Sequence, residues 1–211
     1  MTDSERFAAI LLDKCHEFID LKPAQTEALW AHYELMCRWN PRINLTSVID
    51  LEKAAVRHYS ESLFLASLVP AAALRVADIG SGAGFPGFPL AAALPQTEVF
   101  LIDSDQRKAA FLREASDFCR NVRVRCVRSN EYKDPVDAVV GRAVRPGEII
   151  SVARRVAGWY GILLSTQDAE QAGAASGAQV TLLPWDTQSA ALTCMVPRGT
   201  SETQLRPKRS T

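Results

Sequence analysis

The hydrophobic pattern divides the chain into a helical stretch and an alternating one. Phe7, Ile10, Leu11, Cys15, Phe18 and Ile19 recur at three- and four-residue spacing, which is one face of a helix that Ser4 is placed to cap. Pro23 opens a second helix running toward Trp39, with Leu29, Tyr33, Met36 and Cys37 on one face. The segment WNPRINLTSV, 39–48, is too polar and too broken by Pro41 to be a strand. A third helix covers about 52–66. From residue 74 the period changes. Apolar runs at 75–79, 99–103, 122–127, 138–142, 162–165, 180–183 and 192–196 read as strands. Helices are expected near 86–94, 106–119 and 148–157, and 173–177 reads as small and flexible. Such alternation implies a mostly parallel sheet with helices on both faces, an α/β fold. The last two strands are joined only by PWDTQSA. A parallel crossover needs a dozen or more residues, so this pair should be an antiparallel hairpin. The division expected is a helical extension over 1–70, a sheet domain over 71–198 and a flexible tail over 199–211.

Chemistry enters at LRVADIGSGAGFPGFPL, 74–90. An apolar strand stops at Gly80, and Gly82, Gly84 and Gly87 follow before a helix. Glycines let the chain turn tightly and let a ligand approach the backbone. N–H groups at the start of the next helix would be free to meet a polar or anionic group. Asp78 lies in the strand, and Asp103 ends the next one, a little over 20 residues past the loop, where an acid can hold ribose hydroxyls. These features predict a nucleotide-like cofactor. The spacing is G-x-G-x-G, not the G-x-G-x-x-G of dinucleotide-binding folds. With its upstream acid it resembles motif I of methyltransferases that use S-adenosylmethionine (SAM).

Composition narrows the classes. Lys plus Arg number 24 and Asp plus Glu number 24, so no global basic field announces a nucleic-acid partner. Between 101 and 160, however, twelve Lys and Arg stand against eight Asp and Glu. The five cysteines are scattered without a C-x-x-C pair, so a metal or redox site is not expected and buried reduced thiols are. The start, MTDSERFAAILLDKC, reads as neither a signal peptide nor a membrane span. A cytoplasmic monomer is the expectation.

Longer stretches carry a family resemblance. WNPRINLTSV, RHYSESL (57–63), DIGSGAGFPGFPLA, LIDSDQRKAAFL and VVGRAV resemble the ribosomal small-subunit methyltransferase G family, formerly glucose-inhibited division protein B. The resemblance implies a Rossmann-like SAM-methyltransferase fold with a seven-stranded, mostly parallel sheet and a helical N-terminal extension. It implies methylation of N7 of a guanine in 16S ribosomal RNA, with the small subunit or an assembly intermediate as partner. It assigns cofactor contacts to Gly80, Phe85, Asn130, Glu131 and Arg142, alongside Gly82 and the ribose acid Asp103. It makes Arg57 and His58 RNA-side candidates, beside Arg107, Lys108 and Arg145, which follow strand ends and could line one face; Asn44 and Arg142 are positioning candidates. The chain departs from the family where a Lys-Gly often follows the fifth strand: here stand Ser165-Thr166-Gln167-Asp168.

Methyl transfer to guanine N7 needs alignment but no general base, because N7 carries a lone pair and no proton. None is nominated. An arginine aimed at N7 would occupy that lone pair, so Arg142 is expected to position cofactor or phosphate. Two alternatives stay open: a catalytically weak SAM- or RNA-binding protein, and an NAD-dependent oxidoreductase, against which the glycine spacing and the hairpin count.

Overall fold

The structure is a computed structural model that describes residues 1–196. The expected tail therefore lies outside the described residues, as does the far edge of the expected sheet domain. The described residues form a seven-stranded sheet in the order β3-β2-β1-β4-β5-β7-β6. The strands are β1 (Arg75–Ile79), β2 (Glu98–Ile102), β3 (Val122–Arg125), β4 (Ala138–Arg142), β5 (Trp159–Ser165), β6 (Gln179–Leu183) and β7 (Asp186–Met195). β7 runs antiparallel to both of its neighbours and the other pairings are parallel. The terminal hairpin expected from the short PWDTQSA link is present. β7 starts at Asp186, not at 192: Asp186 pairs with Leu183 of β6 and Ser189 with Ser165 of β5, despite their polarity.

The helices are α1 (Asp3–Cys15), α2 (Pro23–Ile43), α3 (Leu51–Ala54), α4 (Glu61–Leu68), α5 (Gly87–Ala93), α6 (Gln106–Ala115), α7 (Pro146–Val156) and α8 (Thr166–Ser176). Four details differ from the sequence expectation. Thr2, not Ser4, caps α1: its hydroxyl accepts from the Glu5 N–H, and the Glu5 carboxylate accepts from the Thr2 N–H at 2.7 Å. α2 runs through Pro41 to Ile43 and ends at Asn44, in the left-handed conformation with φ 49°. A π turn, Ala55–Ser60, splits the third helix. α8 occupies the segment read as flexible. Ser165 caps it, accepting from the Asp168 N–H, and Gly177 closes it at φ 69°.

Alternation along the strands sorts side chains between two cores. Val99 and Leu101 point to one face, where Phe7, Leu35, Tyr59, Leu63, Phe88 and Phe111 bury the N-terminal helices against the sheet. Phe100 and Ile102 point to the other, against Ile149, Val152 and Ala153 of α7. The extension is thus one of the layers that bury the sheet. Its position brings α4 and the π turn to the C-terminal ends of β4 and β5.

Candidate functional site

The parallel strands end along one edge, where open α/β sheets place ligands. β1 leaves that edge through the glycine turn. The Gly80 and Ser81 N–H groups both donate to the Ile102 carbonyl, at 2.8 and 3.0 Å, which folds the turn over the end of β2. Gly80 takes φ 71° and a Cβ there would meet Val144 Cγ2 at 2.6 Å, so the turn is pressed against the loop that follows β4. Gly82, at φ 56°, has open space: a Cβ would meet nothing nearer than 3.8 Å. Asp103 braces this turn. Its Oδ2 accepts from the Gly82 N–H and its Oδ1 from the Asp105 N–H, both at 2.9 Å. Each oxygen keeps a second lone pair. A bare backbone surface beside a fixed, half-buried carboxylate fits the ribose and adjacent atoms of a nucleoside cofactor.

The expectation that the following helix offers free N–H groups is corrected. The Gly87 N–H donates to Asp78 Oδ2 at 3.0 Å, and the Phe88 N–H to the Gly84 carbonyl at 2.7 Å. Gly87, Phe88, Pro89 and Leu90 are buried, so this helix start is anchored in the core. Asp78 is the anchor. Burial pushes its carboxyl up to about 7, against the Gly87 N–H and the Ser81 hydroxyl that favour the charged form. Phe85 is likewise a core residue. Its ring stacks on His58 at 4.6 Å and meets Tyr59 and His32 edge-on at 5.0 and 5.4 Å.

A cavity of about 630 Å³ opens at the ends of β4 and β5, lined by Arg57, Glu61, Arg142, Asp168, Asp186 and Ser189 among others. Arg142 does not stand free in it. Its Nη2 lies 2.7 Å from Glu61 Oε2, and its Nη1 donates to the Arg57 carbonyl. The Glu61 side chain is 2% exposed and that of Arg142 18%. Burial raises the Glu61 carboxyl and the Arg142 charge pulls it back; burial lowers Arg142 and Glu61 opposes that. At 2.7 Å we read an ionised pair. Ser165 and Asp168, which replace the expected Lys-Gly, bond each other at the cap of α8.

The remaining predicted residues divide. Arg107 and Lys108 occupy the first turn of α6, directly after Asp105, whose carboxylate accepts from both their N–H groups. Arg145 is exposed at the start of α7. Asn130 and Glu131 form an exposed turn after β3, closed by the Glu131 N–H on the Arg128 carbonyl at 3.0 Å. β3 is paired with β2 through Ile102 and Arg125, so this turn follows the strand end beside Asp103. His58 is corrected, and Asn44 is placed at the surface. His58 turns inward: its Nε2 bonds the Thr46 hydroxyl at 2.8 Å, and its buried Nδ1 faces no partner. Burial and the Arg142 cation hold it down at about 4, so it brings no charge to RNA. Asn44 is an exposed helix terminus, and it is Asn40 that closes the following loop, through both its amide atoms on Thr46 at 2.9 Å.

Two site residues escaped the sequence reading. Glu61 had a signal: it is the one charged residue in the apolar helix ESLFLASL. His32 is buried under the glycine loop, with Nδ1 2.8 Å from the Tyr59 hydroxyl and Nε2 2.9 Å from where a Gly84 Cβ would sit. Burial holds it neutral, down at about 3.

The chain is similar to a solved putative RNA methyltransferase from Pyrococcus horikoshii, with TM-score 0.55 and 19% identity over 83% of this chain and 100% of that one. A predicted O-methyltransferase from Agrobacterium tumefaciens gives TM-score 0.53 and 22% identity over 64% and 79%. Both share the fold. In sequence the chain is 37% identical to a ribosomal RNA small subunit methyltransferase G of Desulfitobacterium hafniense over 60% of this chain. That match spans 55% of the relative, little more than half its length. Against the Bacteroides fragilis protein of the same name, identity is 37% over 65% of this chain and 69% of the relative. The family model for rRNA small subunit methyltransferase G matches residues 25–172. The chain belongs to the rRNA small subunit methyltransferase G family.

Proposed function

We propose that this protein is a SAM-dependent methyltransferase that methylates N7 of a guanine in 16S rRNA. The observation that carries the reading is the braced glycine turn: Asp103 holding the Gly82 N–H, with open space above Gly82. A dinucleotide would need a glycine-rich helix start for its pyrophosphate. Here that start is buried and tied to Asp78. A cofactor without a phosphate suits this turn better than NAD does.

When bound, the cofactor supplies a sulfonium methyl group: the C–S electron pair stays with sulfur while the N7 lone pair forms the new C–N bond. The chain's residues then act as follows. Gly80 and Gly82 give the cofactor a close backbone surface. Asp103 accepts from ribose hydroxyls. Asn130 and Glu131 border the same end. Phe85 acts through the loop it anchors, not through its ring. Arg142 is turned toward Glu61 and away from a donor role on N7. No residue need take a proton. Arg57, Arg107, Lys108 and Arg145 lie along one strand-end edge and suit phosphate contacts. The substrate is 16S rRNA within the small subunit or an assembly intermediate, and the protein works as a cytoplasmic monomer. Among the described residues no helix is long and apolar enough to cross a membrane.

The test is calorimetric titration with SAM and with NADH, then labelled SAM against naked 16S rRNA, an assembly intermediate and the mature subunit. SAM binding and one new 7-methylguanine are expected. NADH binding in place of SAM, or label on another atom, overturns the proposal.

A further inference from the structure

The Glu61–Arg142 pair is the most deeply buried ion pair among the described residues, and it joins the extension to the sheet edge. Stability alone does not account for it. Two charges taken from water cost several kcal/mol each, and well-packed apolar residues often serve as well or better. The surroundings give a different reason. By the β1–β4 register, Arg142 follows Gly141 at the strand end beside Gly80, and Val144 presses on Gly80 itself. The guanidinium therefore stands at the wall between the cofactor turn and the cavity at β4 and β5. A bare cation there would face a sulfonium before transfer and a cationic purine after it, since the positive charge passes from sulfur to base.

We propose that Glu61 is a charge-balancing positioning residue: it cancels Arg142 at this wall, so that the site accepts a positive charge throughout the reaction. This rests on the SAM reading above. The neighbours agree. Ser189 Oγ approaches Glu61 Oε1 at 3.5 Å, and the Arg57 carbonyl takes the other arm of the guanidinium. Asp168 and Asp186 add carboxylates to the same cavity, against Arg57 as its other cation. His58, one turn before Glu61, is neutral in its buried position.

S-adenosylhomocysteine has the shape of SAM without the charge, so the ratio of the two affinities reads the charge of the wall. Two unit charges about 10 Å apart at an effective dielectric of about 20 change a binding constant roughly tenfold. Glu61→Gln should lower the ratio of SAM affinity to S-adenosylhomocysteine affinity roughly tenfold by calorimetry, and Glu61→Gln with Arg142→Gln should return it to the wild-type value. A residue that merely holds the fold would weaken both ligands alike. If Glu61→Gln is unstable alone, it is purified as its S-adenosylhomocysteine complex and SAM is used to displace that ligand. If it still does not fold, the uncharged double variant must show the wild-type ratio. An unchanged ratio in Glu61→Gln, or a lowered one in the double variant, overturns the inference. Wild-type protein that binds neither ligand would instead overturn the SAM reading.

Discussion

The two halves of the strand-end edge are made of different material. Around β1 and β2 the surface offered to a ligand is a glycine turn braced by the single carboxylate of Asp103, beside a helix start whose N–H groups are already taken by Asp78 and Gly84. Around β4 and β5 they are side chains gathered from Arg57 to Ser189. A backbone surface is fixed by conformation and tolerates few replacements. A side-chain surface is fixed by partners and can be rebuilt one residue at a time. One departure from the family pattern falls in the second half, where Ser165 caps a helix and bonds Asp168.

The comparison is tested hardest at Asp103. Asp103→Ala removes the acceptor for the Gly82 N–H and the proposed ribose contacts. Hydrogen bonds to charged groups contribute about 1.5–3 kcal/mol each, so SAM affinity should fall by about a hundredfold or more. Arg57→Ala, in the other half, removes a cation from the cavity and should not weaken SAM binding. Calorimetry on the two variants decides, and equal losses would erase the distinction between the halves.

Next comes the conformation itself. Gly80→Ala adds a Cβ at positive φ and within 2.6 Å of Val144, whereas Gly82→Ala meets open space. Left-handed backbone costs a non-glycine residue about 1 kcal/mol or more, and forced overpacking about 1–3 kcal/mol on top. Urea unfolding should show Gly80→Ala the less stable by about 2 kcal/mol. Equal losses would mean that the turn is not pressed against the β4 loop.

The same contrast explains what the sequence revealed. The strand positions, the terminal hairpin and the acid at the end of β2 follow from local pattern: apolar runs, a link too short for a crossover, an Asp closing a strand. The Glu61–Arg142 pair spans 81 positions (142 − 61), and no local pattern joins such residues. The inward turn of His58 is hidden for the same reason. Helical spacing does not say which way a π turn will point a side chain, and here Phe85 and Thr46 take it inward. Asp78 is visible in the strand pattern, but its partner Gly87 is fixed only by the close packing of helix on strand.

Buried titrating groups then set a smaller, pH-dependent test of the joint between extension and sheet. Asp78 is raised from 3.8 to about 7, so between about pH 4 and 7 the folded protein keeps a proton that the unfolded chain has released. Stability from this group falls as pH rises through that window, by up to about 1.4 kcal/mol per unit. His32 and His58 are lowered from 6.5 to about 3 and about 4. Their unfolded forms bind protons that the folded protein refuses, so their contribution rises with pH up to about 6.5. The effects oppose each other. Asp78→Asn should therefore steepen the rise of stability between pH 4 and 6.5, and His58→Gln should flatten it. Urea unfolding at several pH values measures both. Parallel profiles for the variants and the wild type would show that neither group titrates as its burial requires.

The smallest effect should come from the exposed cations flanking the backbone half. The Arg107 side chain is 71% exposed and lies 3.7 Å from Asp105. An exposed pair of that kind contributes about 1 kcal/mol at most, so it leaves the guanidinium available to a phosphate. Arg107→Ala with Lys108→Ala should leave SAM affinity unchanged, because the Asp105 cap uses their backbone N–H groups, which alanine retains. RNA affinity should fall by about tenfold at low salt. The slope of log K against log salt should shrink by about 1.4 to 1.8, the counterions released by two phosphate contacts. A chain with 24 cations and 24 anions has no overall field to draw RNA in, so the attraction must be local. Filter binding over a salt series reads the slope directly. A fall in affinity with no change in slope would assign these residues to shape and not to phosphate, and would move the RNA path toward Arg57 and the β4–β5 cavity.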